Sequence, residues 1–180
     1  MNMPKSSKKQ INEDEKKLLK ILQTNSGDNI DKIAKKCGFS RQKLWRIKKR
    51  LEKNKTIWGY HAVVDDEKLG LKRYLILIKR TNKPLSKMQL NVITSRKVKQ
   101  ASSKLGINIE CSFYLHGSYD WFIMVTAKDI RFVKKVIETF TILLKGFISE
   151  VQVEEVIFPV EKSNFTNPNI DQIKDFFISE

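Results

Sequence analysis

The chain is 180 residues long, 41% hydrophobic and carries a formal net charge of +15, enough apolar content for a core in one large or two small domains. No run of about 18 apolar residues exists to cross a membrane, and the first residues are polar and lysine-rich rather than an apolar signal region. The two cysteines, Cys37 and Cys111, have neither CxxC spacing nor a histidine cluster, so both read as core residues of a cytoplasmic, reducing compartment, and no metal or cofactor is expected.

The charge is uneven. Residues 1–60 hold 17 Lys and Arg against 6 Asp and Glu, net +11, while residues 61–180 hold 18 against 14, net +4. That step argues for two domains, with a surface for a polyanion on the first. Residues 1–10 read as a flexible basic arm because they offer almost nothing to bury. A first helix is expected from near Asn12, where Asn12 and Glu15 have capping-box spacing and Ile11 can staple, with Leu18, Leu19 and Leu22 in the core. A second follows, capped by Asp28 or Asn29, with Ile30, Ile33, Ala34 and Cys37 on one stripe.

Gly38 can take a left-handed backbone at the end of this helix, and Ser40 can cap a third that turns Leu44, Ile47 and Leu51 inward. The pattern is a helix-turn-helix over 11–57 whose last helix is loaded with cations. Ser40, Arg41, Gln42, Lys43, Trp45, Arg46, Lys49 and Arg50 are the expected contacts to double-stranded DNA, cations for phosphates and forked or amide groups for base edges. A basic helix face is ordinarily just solvated, but the concentration of charge in one third of the chain favours DNA. For Trp45 two readings stand, contact with a sugar or thymine methyl and packing against a neighbour.

Thr56 to Val64 reads as extended, a wing or a departing strand, and 58–72 as a linker strand. Tyr74 to Ile78 is a continuous apolar run suited to a buried strand, and residues 85–105 have helical spacing. Ile109 to Leu115 and Trp121 to Ala127 read as strands joined by the Gly117–Asp120 turn. Asp129 can cap a helix carrying Ile130, Val133, Ile137, Phe140 and Leu144, closed by Gly146. A last strand runs from Phe147 to about Phe158, where a phase shift at Glu154–Glu155 suggests a bulge. The order strand, helix, strand, strand, helix, strand is a ferredoxin-like βαββαβ unit over 73–162, so the fold class expected is α+β. Its open sheet face carries alternating apolar residues, which predicts a homodimer with two recognition helices for a near-palindromic site, half-sites about one DNA turn or a multiple apart. In the 163–180 tail, Ile170, Ile173, Phe176 and Phe177 suggest a short amphipathic helix that docks on its own domain or a neighbouring subunit.

The segment Ile57-Trp58-Gly59-Tyr60-His61-Ala62-Val63-Val64-Asp65, continuing to Leu69-Gly70, resembles the segment that joins the two domains of Lrp/AsnC (feast/famine) transcription regulators. Arg46-Ile47 and Arg50-Leu51-Glu52 resemble their recognition helix, and Gly117-Ser118-Tyr119-Asp120 their regulatory-domain turn. The resemblance spans residues 11–162 in order and implies a winged helix-turn-helix on a ferredoxin-like domain, acting as a dimeric, tetrameric or octameric transcription regulator without catalysis. It also implies an amino-acid or other small effector at Gly117, Ser118, Tyr119, Asp120 and Gln152, in a strand where the family offers a Thr; the alternative for the turn is simple hairpin chemistry. The family's spacing between the Arg-Ile and Arg-Leu pairs is exceeded by one residue, and its Gly before the linker is Lys55 here, with Asn54 expected to take that backbone role.

Two other functions compete. A non-specific DNA-coating protein would bind by counterion release. An enzyme resembling siroheme decarboxylases would need His61 or His116 as acid or base, and neither sits among clustered partners.

Overall fold

A computed structural model describes residues 8–95 and 97–177. These fall into two compact units, residues 8–63 together with 160–177, and residues 64–159.

The first unit is built on α1 (Lys8–Thr24), α2 (Ile30–Cys37) and α3 (Arg41–Lys53). Helix α1 starts at Lys8, so residues 8–10 of the expected arm are helical and Asn12 lies inside the helix instead of capping it; residues 1–7 are outside the described residues. Lys8, Lys9 and Gln10 are good helix formers, and Gln10 Nε2 donates to Asp14 Oδ1 one turn on at 3.1 Å. Asn29 caps α2 by accepting from the Lys32 N–H at 2.9 Å. The helix ends where Gly38 turns left-handed (φ 64°) and the Phe39 N–H returns to Ala34 O at 2.9 Å. Ser40 Oγ then accepts from the Lys43 N–H at 3.2 Å and starts α3. Leu18, Ile33, Ala34, Cys37, Leu44, Ile47 and Leu51 are buried together between the three helices.

Helix α3 ends in a way the sequence did not suggest. Lys55, not Asn54, adopts the left-handed backbone (φ 61°), while Asn54 stays at φ −84°. Asn54 Oδ1 accepts from the Thr56 N–H at 3.1 Å and the Thr56 N–H also reaches Leu51 O at 2.9 Å, so the turn is fixed around Lys55. Residues 56–65 form no strand, which corrects the expected wing and linker strand: an extended segment becomes a strand only with a partner for its backbone groups. The same unit holds a small hairpin, β5 (Glu161–Lys162) and β6 (Phe165–Thr166), turning through left-handed Ser163 and Asn164, and a short helix, of 3-10 type, at Ile170–Phe176 where a short amphipathic helix was expected.

The second unit opens with a 3-10 turn at Glu67–Leu69 and contains β1 (Lys72–Arg80), α4 (Lys87–Thr94), α5 (Lys97–Lys104), β2 (Asn108–Tyr114), β3 (Trp121–Ala127), α6 (Ile130–Leu143) and β4 (Ile148–Val156). The sheet is antiparallel in the order β2-β3-β1-β4, the ferredoxin-like arrangement. One helix was expected over 85–105; there are two, because Ser95 leaves the helix in an extended backbone and its hydroxyl donates to Val92 O at 3.0 Å. The expected bulge at Glu154–Glu155 is absent, since both pair in register with Leu75 and Tyr74. The slip lies between Lys79 and Arg80, where the additional residue Ser149 donates to Lys79 O and Arg80 O at 3.0 and 3.1 Å.

Tyr74, Ile76, Ile78, Ile123 and Val125 face Val133, Val136 and Phe140 in a buried core. On the opposite sheet face Leu75 pairs with Met124 and Leu77 with Phe122, and Phe113 stacks on Phe122 with ring centroids 6.2 Å apart. Cys111 lies on that face and is only half-buried, unlike the core residue expected, whereas Cys37 is fully buried. Glu110, the additional residue of a second bulge, pairs with the buried Arg73, which also reaches Asp66 Oδ2 at 2.7 Å and so fastens the 3-10 turn to the sheet.

Candidate nucleic-acid interface

Successive residues of a helix point about 100° apart, so burying Leu44, Ile47 and Leu51 dictates what α3 shows to solvent. Gln42, Trp45, Arg46 and Lys49 are exposed on the opposite face, with Trp45 at 56%. Over half of the Trp45 side chain is thus open to solvent, and Lys49 Nζ lies 5.9 Å from its ring centre. Among the described residues Arg46 has no ion-pair partner; Arg41 Nη1 is 3.5 Å from Asp31, a pair in solvent where attraction is weak, and the exposed Lys49 Nζ is 3.5 Å from the half-buried Glu52. Ser40 serves as the helix cap, with its N–H end of α3 beside Arg41.

The two edges of α3 are held. On one, Lys43 Nζ is 2.7 Å from Asp14 Oδ2 and 4.3 Å above the Phe39 ring, and Arg50 Nε donates to Glu15 Oε1 at 2.7 Å. Burial pushes the Asp14 carboxyl up, but the bonds from Lys43 and Gln10 prevail and hold it below the ordinary aspartate value. On the other edge, Lys48 Nζ lies 4.6 Å over the Tyr60 ring and the Tyr60 hydroxyl donates to Glu52 Oε1 at 3.2 Å. Burial, then the bond to Glu52, pushes the Tyr60 phenol up to about 12. Sequence reasoning placed Tyr60 in a linker; nothing in its spacing reveals that it braces α3.

In the second unit, the Asp120 carboxylate is already engaged. Its Oδ2 accepts from the Arg80 N–H at 2.9 Å and Oδ1 lies 3.1 Å from Arg80 Nε, while the Asp120 N–H donates to Ile78 O at 2.9 Å. The turn is thus locked onto the end of β1. Across the sheet the Tyr119 hydroxyl donates to Gln152 Oε1, and burial followed by the Glu150 and Glu154 carboxylates pushes the Tyr119 phenol up. Gly117 and Ser118 are exposed, with nothing near Gly117 that a Cβ would meet.

His61 lines a groove of about 290 Å³ in the first unit with Leu19, Leu22, Trp58, Tyr60 and Phe165, and His116 is exposed beside the β2–β3 turn. Among the described residues no group of three His, Cys, Asp or Glu side chains is placed to hold a metal, and no helix is long and apolar enough to cross a membrane.

No protein-family model matches the chain, and no curated protein does. Solved structures do. An AsnC family transcriptional regulator from Agrobacterium tumefaciens is 20% identical, covering 92% of this chain and 98% of its own, with a TM-score of 0.60. A transcriptional regulator from Neisseria meningitidis, solved as a complex with L-Met, is 17% identical over 92% and 98% of the two chains at 0.59. The leucine response regulatory protein LrpA of Mycobacterium tuberculosis is 12% identical over 86% and 98% at 0.64. The fold of this chain is that of the Lrp/AsnC regulators, a helix-turn-helix followed by a ferredoxin-like domain.

Proposed function

We propose that this protein is a transcription regulator of the Lrp/AsnC family that recognises a DNA sequence through the exposed face of α3. The observation that carries this is the row Gln42, Trp45, Arg46 and Lys49, turned outward on a helix capped at Ser40 and packed through Leu44, Ile47 and Leu51. An amide and a guanidinium on such a row suit base edges in a major groove, and Arg41 and Lys49 suit the flanking phosphates. The fold shared with known regulators supports the same reading.

The apolar sheet face around Leu75, Leu77, Phe122 and Phe113 supports a homodimer, which pairs two such helices on a near-palindromic site. For an effector, Asp120 is spent on Arg80, so an amino acid would meet the Gly117–Ser118 backbone, Tyr119 and Gln152. The Neisseria relative with L-Met favours methionine as the first to try. Selection of bound duplexes from a random pool at physiological salt tests the function. A short near-palindromic consensus supports it, enrichment without consensus reassigns the protein to non-specific coating, and no enrichment removes DNA from the account.

A further inference from the structure

Lys43 and Arg50 are seven residues apart on α3, close to two turns, so they share one edge of the helix about 10 Å apart. Two consecutive acids of α1 meet them, Asp14 at 2.7 Å from Lys43 and Glu15 at 2.7 Å from Arg50. Neighbours on α1 diverge by about 100°, and this divergence is what lets the pair reach both ends of that edge. Turning α3 about its axis by one residue breaks both ion pairs together, whereas an apolar row alone tolerates repacking.

Asp14 is 7% exposed, so drawing Lys43 away to a phosphate would take the ion-pair partner from a buried carboxylate and leave it the Gln10 amide. On the opposite edge, Tyr60 with Lys48 and Glu52 closes the frame. We infer that Lys43 and Arg50 are positioning residues, held by Asp14 and Glu15 so that Gln42, Trp45, Arg46 and Lys49 face the duplex, and that they neutralise no phosphate. This rests on the DNA-reading role of α3 proposed above.

The test uses the full chain, its selected duplex and a random duplex of equal length, titrated by fluorescence anisotropy over about 50 to 300 mM salt, the range in which phosphate contacts dominate the change in affinity. Two double variants are compared with the wild type, D14N/E15Q on α1 and K43M/R50M on α3. Both are expected to lower the selected-to-random affinity ratio about tenfold, the scale of one lost base contact. K43M/R50M is expected to leave the slope of log affinity against log salt unchanged. A slope reduced by about 1.8 per bound protomer, or about 0.9 for each phosphate contact, with the ratio intact overturns the inference.

An unchanged ratio in D14N/E15Q overturns it too. That pair is nearly isosteric and decides the matter alone if K43M/R50M fails to fold. A wild type with no preferred duplex overturns the regulator reading and the inference with it; a wild type with a preference that both variants keep overturns the inference only.

Discussion

Arg46 stands at the centre of the exposed row with no acidic partner among the described residues, while Lys49 is within 3.5 Å of Glu52. Replacing Arg46 by Ala is expected to cost about 1 to 3 kcal/mol on the selected duplex and much less on random DNA. Lys49→Ala should weaken both duplexes alike and reduce the salt slope by about 1 per bound protomer. Parallel titrations on the two duplexes check this division, and equal losses for Arg46→Ala on both would contradict it. Asp14 gives a pH prediction whose sign follows from its lowered pKa. The folded carboxyl holds its charge below the ordinary value of 3.8, so its contribution is complete above that pH and is lost as pH falls through the lower folded value. Denaturation midpoints measured down the acid range should therefore fall less steeply below about pH 4 in Asp14→Asn than in the wild type. Matching curves would place the acid sensitivity elsewhere.

At the scale of elements, the helix-turn-helix is legible because its signals are local. Asn29, Gly38 and Ser40 act on backbone groups within five residues of themselves, and each does what its side chain or lack of one suggests. Ser40→Ala should cost about 1 kcal/mol of stability in the first unit, seen as a lower urea midpoint with unchanged slope. No loss would mean that the turn is held by Phe39 packing instead. What the sequence hides is set at a distance. Glu15 reads as a capping-box partner of Asn12, yet its bond is to Arg50, 35 residues away. The bulge suggested by Glu154–Glu155 is displaced to Ser149 because the carbonyls it bonds belong to β1, and Glu155 is satisfied by Lys72 at 2.6 Å. Ser95 splits a periodic stretch through one hydroxyl, and Lys55 takes a backbone that residue type gives no reason to expect.

At the scale of the whole molecule, residues 160–177 belong with 8–63, so the chain leaves its first unit and comes back to it. Phe165 helps line the groove with Leu19, Leu22 and Trp58, and Asn164 Nδ2 donates to Gln23 O at 3.4 Å. A chain ending at Pro159 should unfold its first unit at lower temperature than the full chain while the sheet unit keeps its transition, a difference that calorimetry resolves; coincident curves would make the tail dispensable. The apolar residues of the tail suggest that it docks, but the hairpin and the unit it joins are not legible, because a two-residue strand with one aromatic has no periodicity to detect. The dimer proposed from the sheet face predicts that Leu77→Glu, placing a charge opposite Phe122, shifts sedimentation toward monomer. Sequence reading by the exposed face of α3 is the claim on which these arguments converge. The most direct measurement is selection from a random duplex pool with the wild type and with Arg46→Ala side by side. The account predicts a near-palindromic consensus that, in the variant, loses preference at one symmetry-related pair of positions and keeps the rest. An identical consensus from both proteins would contradict it.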